Sequence, residues 1–454
     1  MAFVHADSCE CVSSTLDLFS VPPTQTSVEH GIYVDYYPLT NVTDGTPIEF
    51  DIPVNGQDYL DLSNSFIYVR AKITLPNGNP LPANDTQMEP VNLFLHSLFS
   101  QVDISLNGTS VTAANNTYPY RAYLETMLSY GKDAKKSHLS GALYQKDDAG
   151  QFENLALGGA NVNDGFVLRN SFIRRSRPVD MIGRIHADIF FQGRYLLNEV
   201  NVKIKMIRSR DAFCLMGGAQ QFKVMIESAI LYVRKVKLSP SVFLAHAKAL
   251  ESSTAKYPLR RVTCKTITIP AGHFDISHEK LFSGQLPNRI VLGLVRNDAF
   301  SGSRTHNPFN FQHFGLTEIA VYVDGQQHGQ GIKPLKVDYD SNLYIRAYNT
   351  LFSGTGKLFA DEGNDITRTD YAQGYALYAF DLSPDLLDDE KFDLAKSGSV
   401  RLEVKFADAL PVAVTLIAYA EHENLLEIDR NRNIVYDFQD EHAADRHSGS
   451  SACA

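Results

Sequence analysis

The stretch His96-Ser-Leu-Phe-Ser-Gln-Val-Asp-Ile-Ser-Leu-Asn-Gly108 occurs twice in outline. The second copy is His313-Phe-Gly-Leu-Thr-Glu-Ile-Ala-Val-Tyr-Val-Asp-Gly325, which opens on the same residue type and closes on the same kind of turn pair. Val102, Ile104 and Leu106 match Ile319, Val321 and Val323. Ser100 matches Thr317 and Gln101 matches Glu318, while Leu98 meets a mismatch at Gly315. Apolar residues at every second position are the pattern of a half-buried strand. An Asn-Gly or Asp-Gly pair behind it is the strongest short signal for a hairpin turn, because both central residues of that turn need positive φ.

The rest of each half repeats in the same order. Arg121-Ala-Tyr123 and Leu128-Ser-Tyr-Gly131 follow the first copy; Arg346-Ala-Tyr348 and Leu351-Phe-Ser-Gly354 follow the second. Val202-Lys-Ile-Lys-Met206 then matches Val400-Arg-Leu-Glu-Val404, and Ala229-Ile-Leu-Tyr-Val233 matches Thr415-Leu-Ile-Ala-Tyr419. The separation stays near two hundred residues, too long for a solenoid unit, so it reads as a duplicated domain.

Taken in order, residues 1–45 read as an extended N-terminal arm, with Pro22-Pro23 in a run that has no periodicity. Residues 46–238 form the first β domain. Its expected strands are Ile48–Ile52, Tyr59–Leu62, Phe66–Thr74, the repeated stretch, Asp188–Phe191, Val202–Ile207, Phe222–Ile226 and Ala229–Val236. Gly217-Gly218 is expected to turn a hairpin. The best helix starts at Pro119 and stops at Gly131, with Tyr120, Tyr123, Leu124, Met127 and Leu128 on one stripe. Residues 132–170 read as a long polar loop. Ser239-Pro240 opens a short helix in a linker spanning 239–261. The second β domain covers 262–428, with strands at Thr266–Ile269, Arg289–Val295, Ile319–Val323, Ala376–Phe380, Val400–Phe406 and Val412–Tyr419, and a short helix from Ser383-Pro384. Residues 429–454 read as a polar, disordered tail. Many short strands with little helix give an all-β class, and room for about eight strands per half fits two tandem jelly rolls with short helices in the inter-strand loops.

Charge narrows the function. The chain of 454 residues carries a net −10, and its first 69 residues hold ten acidic and no basic side chains. Phosphate contacts need Lys or Arg, so neither the chain nor its arm reads as a DNA-binding element. No apolar run reaches membrane-spanning length and no signal peptide is evident, so the expected site of synthesis is the cytoplasm or nucleus without secretion. The five cysteines, Cys9, Cys11, Cys214, Cys264 and Cys453, read as reduced thiols. The sequons at Asn41, Asn84, Asn107 and Asn115 read as turn chemistry.

Catalytic patterns are weak throughout. Gly354-Thr-Gly-Lys357 resembles the end of a phosphate loop, but Leu351 and Leu358 stand where Gly and Ser or Thr belong. His273, His278-Glu279, His442 and His447 miss metal-binding spacings. His96 and His313 recur and are expected to be buried strand-entry histidines bonded to backbone. Arg174-Arg175-Ser-Arg177, the densest basic cluster, reads as a solvated loop, with contact to DNA or an acidic neighbour as the alternative. The expectation is therefore no catalytic, cofactor-binding or metal-binding residue, no cofactor and no enzyme activity.

Pro90-Val-Asn-Leu-Phe-Leu-His-Ser-Leu-Phe-Ser-Gln-Val-Asp-Ile-Ser-Leu-Asn-Gly108 resembles the signature stretch of the double jelly-roll major capsid proteins of Polinton (Maverick) elements and adintoviruses. So do Ser14-Thr-Leu-Asp-Leu-Phe-Ser-Val-Pro-Pro-Thr-Gln-Thr-Ser-Val28, Thr117-Tyr-Pro-Tyr-Arg-Ala-Tyr123 and Leu128-Ser-Tyr-Gly131. The resemblance runs from Ser14 to Asp437. It implies a virion capsid subunit of the adenovirus-hexon lineage: a homotrimer forming pseudo-hexagonal capsomers that tile an icosahedral shell around double-stranded DNA. Its partners would be itself, penton or minor capsid proteins and, weakly or indirectly, the packaged DNA. The main alternative is a soluble tandem β-sandwich that binds carbohydrate like a lectin. An enzyme on a β scaffold, such as a glycan hydrolase, is a third.

Overall fold

The computed structural model describes residues 7–8, 11–42, 45–53, 56–82, 87–217, 221–328, 334–384, 391–394 and 396–436. Among the described residues, eight principal strands build the first half: β1 Val28–Tyr36, β2 Ile48–Ile52, β3 Tyr59–Thr74, β4 Phe99–Leu106, β5 Thr109–Ser110, β6 Val179–Gly183, β7 Val202–Arg208 and β8 Lys223–Leu238. Eight more build the second: β9 Ala255–Ile269, β10 Asp275–Gln285, β11 Arg289–Arg296, β12 Leu316–Val323, β13 Gln326–His328, β14 Leu377–Asp381, β15 Ser397–Phe406 and β16 Val414–Ile428. A short β17, Ile434–Tyr436, pairs with β16, and the two residues Leu335–Lys336 pair with β12.

In the first half the sheets run β1-β8-β3-β6 and β2-β7-β4-β5, and in the second β9-β16-β11-β14 and β10-β15-β12-β13. The orders are the same once eight is added to each label, and every ladder is antiparallel. Each half is therefore a jelly roll, and the chain is an all-β double jelly roll. The repeated stretch occupies one position in both halves, β4 and β12. Asn107 and Gly108 take φ of 48° and 84°, and Asp324 and Gly325 take 48° and 79°, the paired positive values that a type I′ hairpin needs.

β3 explains its own face. Ile67, Val69, Ala71 and Ile73 are buried while Arg70 is exposed, the alternation of a strand with one side on the core. Tyr59–Leu62 and Phe66–Thr74 are one strand rather than two, as are Phe222–Ile226 and Ala229–Val236. Bulges at Ile226/Ser228 and Tyr232/Arg234 absorb the breaks in pattern. Asp188–Phe191 is not a strand. Asp188, Ile189 and Phe190 form a 3-10 turn with three consecutive buried side chains, which a strand with one wet face cannot supply. Gly217 does not turn a simple hairpin, because a short helix (Asp211–Cys214) and a two-residue ladder (Leu215–Met216 against Glu89–Pro90) stand between β7 and β8; Gly218 lies outside the described residues.

The helices sit in the connections: α1 Phe94–Ser97, α2 Tyr118–Ser129, α3 Lys132–Lys136, α4 Asp164–Ile173, α5 Asp211–Cys214, α6 Pro240–Ala249, α7 Asn297–Gly302, α8 Ile345–Ser353 and α9 Arg368–Tyr371. α2 and α8 occupy matching connections, and they carry the repeated Arg-Ala-Tyr triplets. The expected loop at 132–170 contains α3 and most of α4 and contributes Leu143, Tyr144, Phe152 and Phe166 to the buried interior. α6 starts at Pro240 as expected, though Ser239 makes no side-chain cap. β1 lies within the stretch read as an arm, β9 begins inside the stretch read as a linker, and β17 lies inside the expected tail. Residues 385–390, over which the helix expected from Ser383-Pro384 would run, and the tail beyond Tyr436 lie outside the described set.

Alternating strand direction sorts the connections of each roll. Those after β1, β3, β5 and β7 lie at one end, and those after β2, β4 and β6 at the other. The long connections, 75–98 and 111–178 in one roll and 297–315 and 329–376 in the other, thus share an end type, while both tight hairpins lie at the opposite one. Long connections of one roll pack on those of the other, as described next. The two rolls therefore stand side by side with like ends together, around one continuous cluster of buried residues.

Candidate functional site

The seam between the rolls is built largely from the long connections. α2 places Tyr120 and Tyr123 on one face, and both enter the second half. Tyr123 stacks on Phe309 with ring centroids 4.2 Å apart and planes 6° from parallel. Tyr120 stacks on Phe300 at 5.6 Å and meets Phe309 edge-on. Phe152 packs against Tyr375 at 5.1 Å. Gly374 faces the same ring so closely that a Cβ there would sit 2.1 Å from a Phe152 carbon. Polar links reinforce the join. Gly150 N–H donates to Gln373 O (2.8 Å), Tyr375 Oη to Asp147 O (2.5 Å), and Lys135 Nζ to Asn364 O (2.5 Å) as well as to Met127 O of its own roll (2.7 Å). Lys146 Nζ pairs with Asp370 at 2.8 Å.

Beside the aromatic seam runs a chain of ionisable groups. Arg121 contacts Glu125 (2.9 Å) and Asp188 (2.6 Å), Glu125 contacts His186 (2.6 Å), and Val262 N–H donates to Asp188 (3.2 Å). From the second roll, Tyr419 Oη donates to Glu421 (2.9 Å), which also meets Arg289 at 3.2 Å. Burial pushes Glu125 upward, but Arg121 and His186 outweigh it and hold the carboxyl below its usual range. Arg169 is fully buried: Nε donates to Pro90 O (2.9 Å), Nη1 to Gln145 O (2.6 Å) and Nη2 to Asp147 (2.5 Å) and Glu89 (3.3 Å).

Chemically, this set ties segments of the two rolls together. Arg121, Glu125, Asp188 and His186 are engaged with one another, while Lys135 donates to backbone carbonyls. Burial pushes the Cys214 and Cys264 thiols up to about 12, which removes them as nucleophiles at neutral pH. Among the described residues no group of three His, Cys, Asp or Glu is placed to hold a metal ion.

The histidines considered from sequence separate. His96 is buried in α1, not at a strand entry, and it bonds a side chain: Nδ1 lies 2.9 Å from Tyr118 Oη. Its ring meets His186 edge-on at 4.6 Å, and burial, with His186 adding, holds its pKa well below the usual value. His313 fits the backbone-bonded expectation, since its Nδ1 accepts from Gly315 N–H at 3.1 Å. His273 precedes the edge strand β10, and His278 and Glu279 lie on it; they are exposed or half-buried. His442 and His447 lie outside the described residues. Lys357 donates to Ser129 O (2.8 Å) and Gly363 O (3.4 Å), so the Gly-Thr-Gly-Lys turn spends its cation across the seam. Arg174 donates to Asn170 Oδ1 (3.0 Å), and Arg175 and Arg177 are exposed. Cys11 is exposed; Cys9 and Cys453 lie outside the described residues.

A second feature lies at the hairpin end. Arm residues Leu16, Leu18, Phe19 and Val21 are exposed, Phe19 to 98%. Near the arm's root is a largely apolar groove of about 510 Å³ between α6 and the start of β9. Sequence reasoning identified the arm but had no signal for the groove, whose walls come from four distant segments.

No family model matches the chain. An uncharacterised protein of Caenorhabditis elegans is 26% identical over 431 residues, spanning 92% of this chain and 99% of the relative. The fold is shared with solved viral structures. The cryo-EM structure of the Sputnik virophage matches with a TM-score of 0.64 and 12% identity over 99% of this chain and 98% of that one. The PBCV-1 virus capsid matches at 0.58 with 10% identity over 92% and 99%. The mavirus major capsid protein matches at 0.54 with 11% identity over 96% and 97%.

Proposed function

We propose that this chain is a major capsid protein, a structural subunit whose work is assembly. The observation that carries the reading is the pair of same-order jelly rolls locked side by side through one core. A single chain then presents two similar wedges in fixed relation. Three chains around an axis present six, a near-hexagonal outline able to tile a shell. The shared fold with viral capsid structures supports this role. The Pro90–Gly108 and Ser14–Val28 strings support a place among Polinton and adintovirus capsid proteins, with a double-stranded DNA genome inside the virion shell. Genome contact falls to other proteins or to Arg174, Arg175 and Arg177. Penton and minor capsid proteins would complete the shell.

Light scattering on the purified chain tests the reading. The expected mass is three times 50.5 kDa, with hexagonal particles in electron micrographs. A monomer at all concentrations overturns it, and sugar affinity in that monomer would favour the lectin-like alternative.

A further inference from the structure

The arm and the groove fit one another. α6 spans Pro240–Ala249 and has no buried residue. An isolated helix of this length is marginal in water, and this one is held to its own chain only by half-buried Val242 and Phe243 and by His246 Nδ1, 3.0 Å from Tyr59 Oη, which leaves its outer face open to further packing. The groove floor is apolar: Leu197, Leu250 and Tyr257 are buried, and Val242 of α6 is half-buried. At its rim Arg194 is exposed. The guanidinium donates to Lys256 O (2.5 Å) and has no carboxylate partner among the described residues. The arm carries the complement: exposed Leu16, Leu18, Phe19 and Val21, with Asp17 among them and no cation anywhere before Arg70.

Connectivity decides between a chain's own arm and a neighbour's. Ser27 and Val28 line the groove, so the arm leaves from its edge, anchored where Ser239 N–H donates to Ser27 O (2.9 Å). To fold back, Leu16–Val21 would have to reverse direction within residues 22–26. Pro22-Pro23 fix φ and favour extended backbone there, and Gln25 is tied to Val28 by two hydrogen bonds. Extended, the chain from Val28 to Phe19 reaches up to about 30 Å, enough to cross to another molecule.

We propose that Leu16–Val21 of one copy docks in the α6–β9 groove of a neighbouring copy, with Asp17 beside Arg194. This exchange rests on the assembly reading above. It closes the bare face of α6 and clips adjacent subunits at the hairpin end.

The test replaces Phe19 with the photo-cross-linker p-benzoylphenylalanine in the full chain and mixes isotopically light and heavy protein. Mass spectrometry is expected to find cross-links to peptides containing Val242, Leu250 or Tyr257, in light–heavy pairs. Leu18→Asp, on a side chain that touches no core, is expected to cut their yield about tenfold. Val242→Glu should do the same from the groove side. Cross-links confined to one chain, or falling outside the groove, in a sample that light scattering finds oligomeric overturn the exchange alone. A sample monomeric throughout removes the assembly reading and the exchange with it.

Discussion

Arg169 and Lys135 are the two residues whose burial most departs from what their chemistry suggests. Replacing Arg169 with Met leaves Asp147 and Glu89 buried without their cation, and burial already pushes Glu89 well above its usual range despite Arg169. The expected loss is about 3–5 kcal/mol, read as a lower urea midpoint. Lys135 is held down to about 7 by burial. Between that value and its unfolded value near 10.5 the unfolded chain binds the proton and the folded chain does not. The Lys135 contribution therefore makes stability rise with pH across this window, while below about 7 its penalty is complete. Relative to Lys135→Met, the wild-type chain should gain about 2 kcal/mol between pH 7.5 and 9.5, measured by urea titration at both values. Neither residue announces itself in sequence. Residues 132–170 look like a loop because their composition is polar, and nothing local says that an Arg or a Lys is roofed by segments far away. His96 misleads in the same way, because its partner Tyr118 is a helix residue from another connection.

At the scale of elements, legibility follows burial of a single face. β4, β12 and their hairpins were readable because one side meets the core and the turn needs positive φ. Gly325→Ala meets nothing within 4 Å, so its cost is backbone strain alone, about 1 kcal/mol in thermal or urea unfolding. Gly374→Ala differs, because its Cβ would strike the Phe152 ring across the seam. A loss of about 2–4 kcal/mol is expected, measured in the same way. β10 was missed because it is a sheet-edge strand whose two buried side chains, Leu281 and Phe282, are adjacent rather than alternate, so no clear apolar period of two marks it. β17 spans three residues, too few for any period. The aromatic seam was half visible: the Tyr stripe of α2 was clear, but not that it would face Phe300 and Phe309 rather than its own roll.

For the whole molecule, the continuous core predicts cooperative behaviour. Urea unfolding followed by far-ultraviolet circular dichroism and by tyrosine fluorescence should give one coincident transition. Two separated transitions would mean that the rolls fold independently and that the seam contributes little. The sorting of connections also sets where chains of this fold can change. Length variation in 111–178 or 329–376 leaves every strand register intact, whereas one residue added at Asn107-Gly108 would shift β5 against β4 and turn its side chains over. Related chains should therefore differ in length mainly at one end and hold their hairpins constant at the other. Gly158-Gly159, with open space around both residues, is the natural graft point: a foreign peptide placed there would be displayed while the chain still folds.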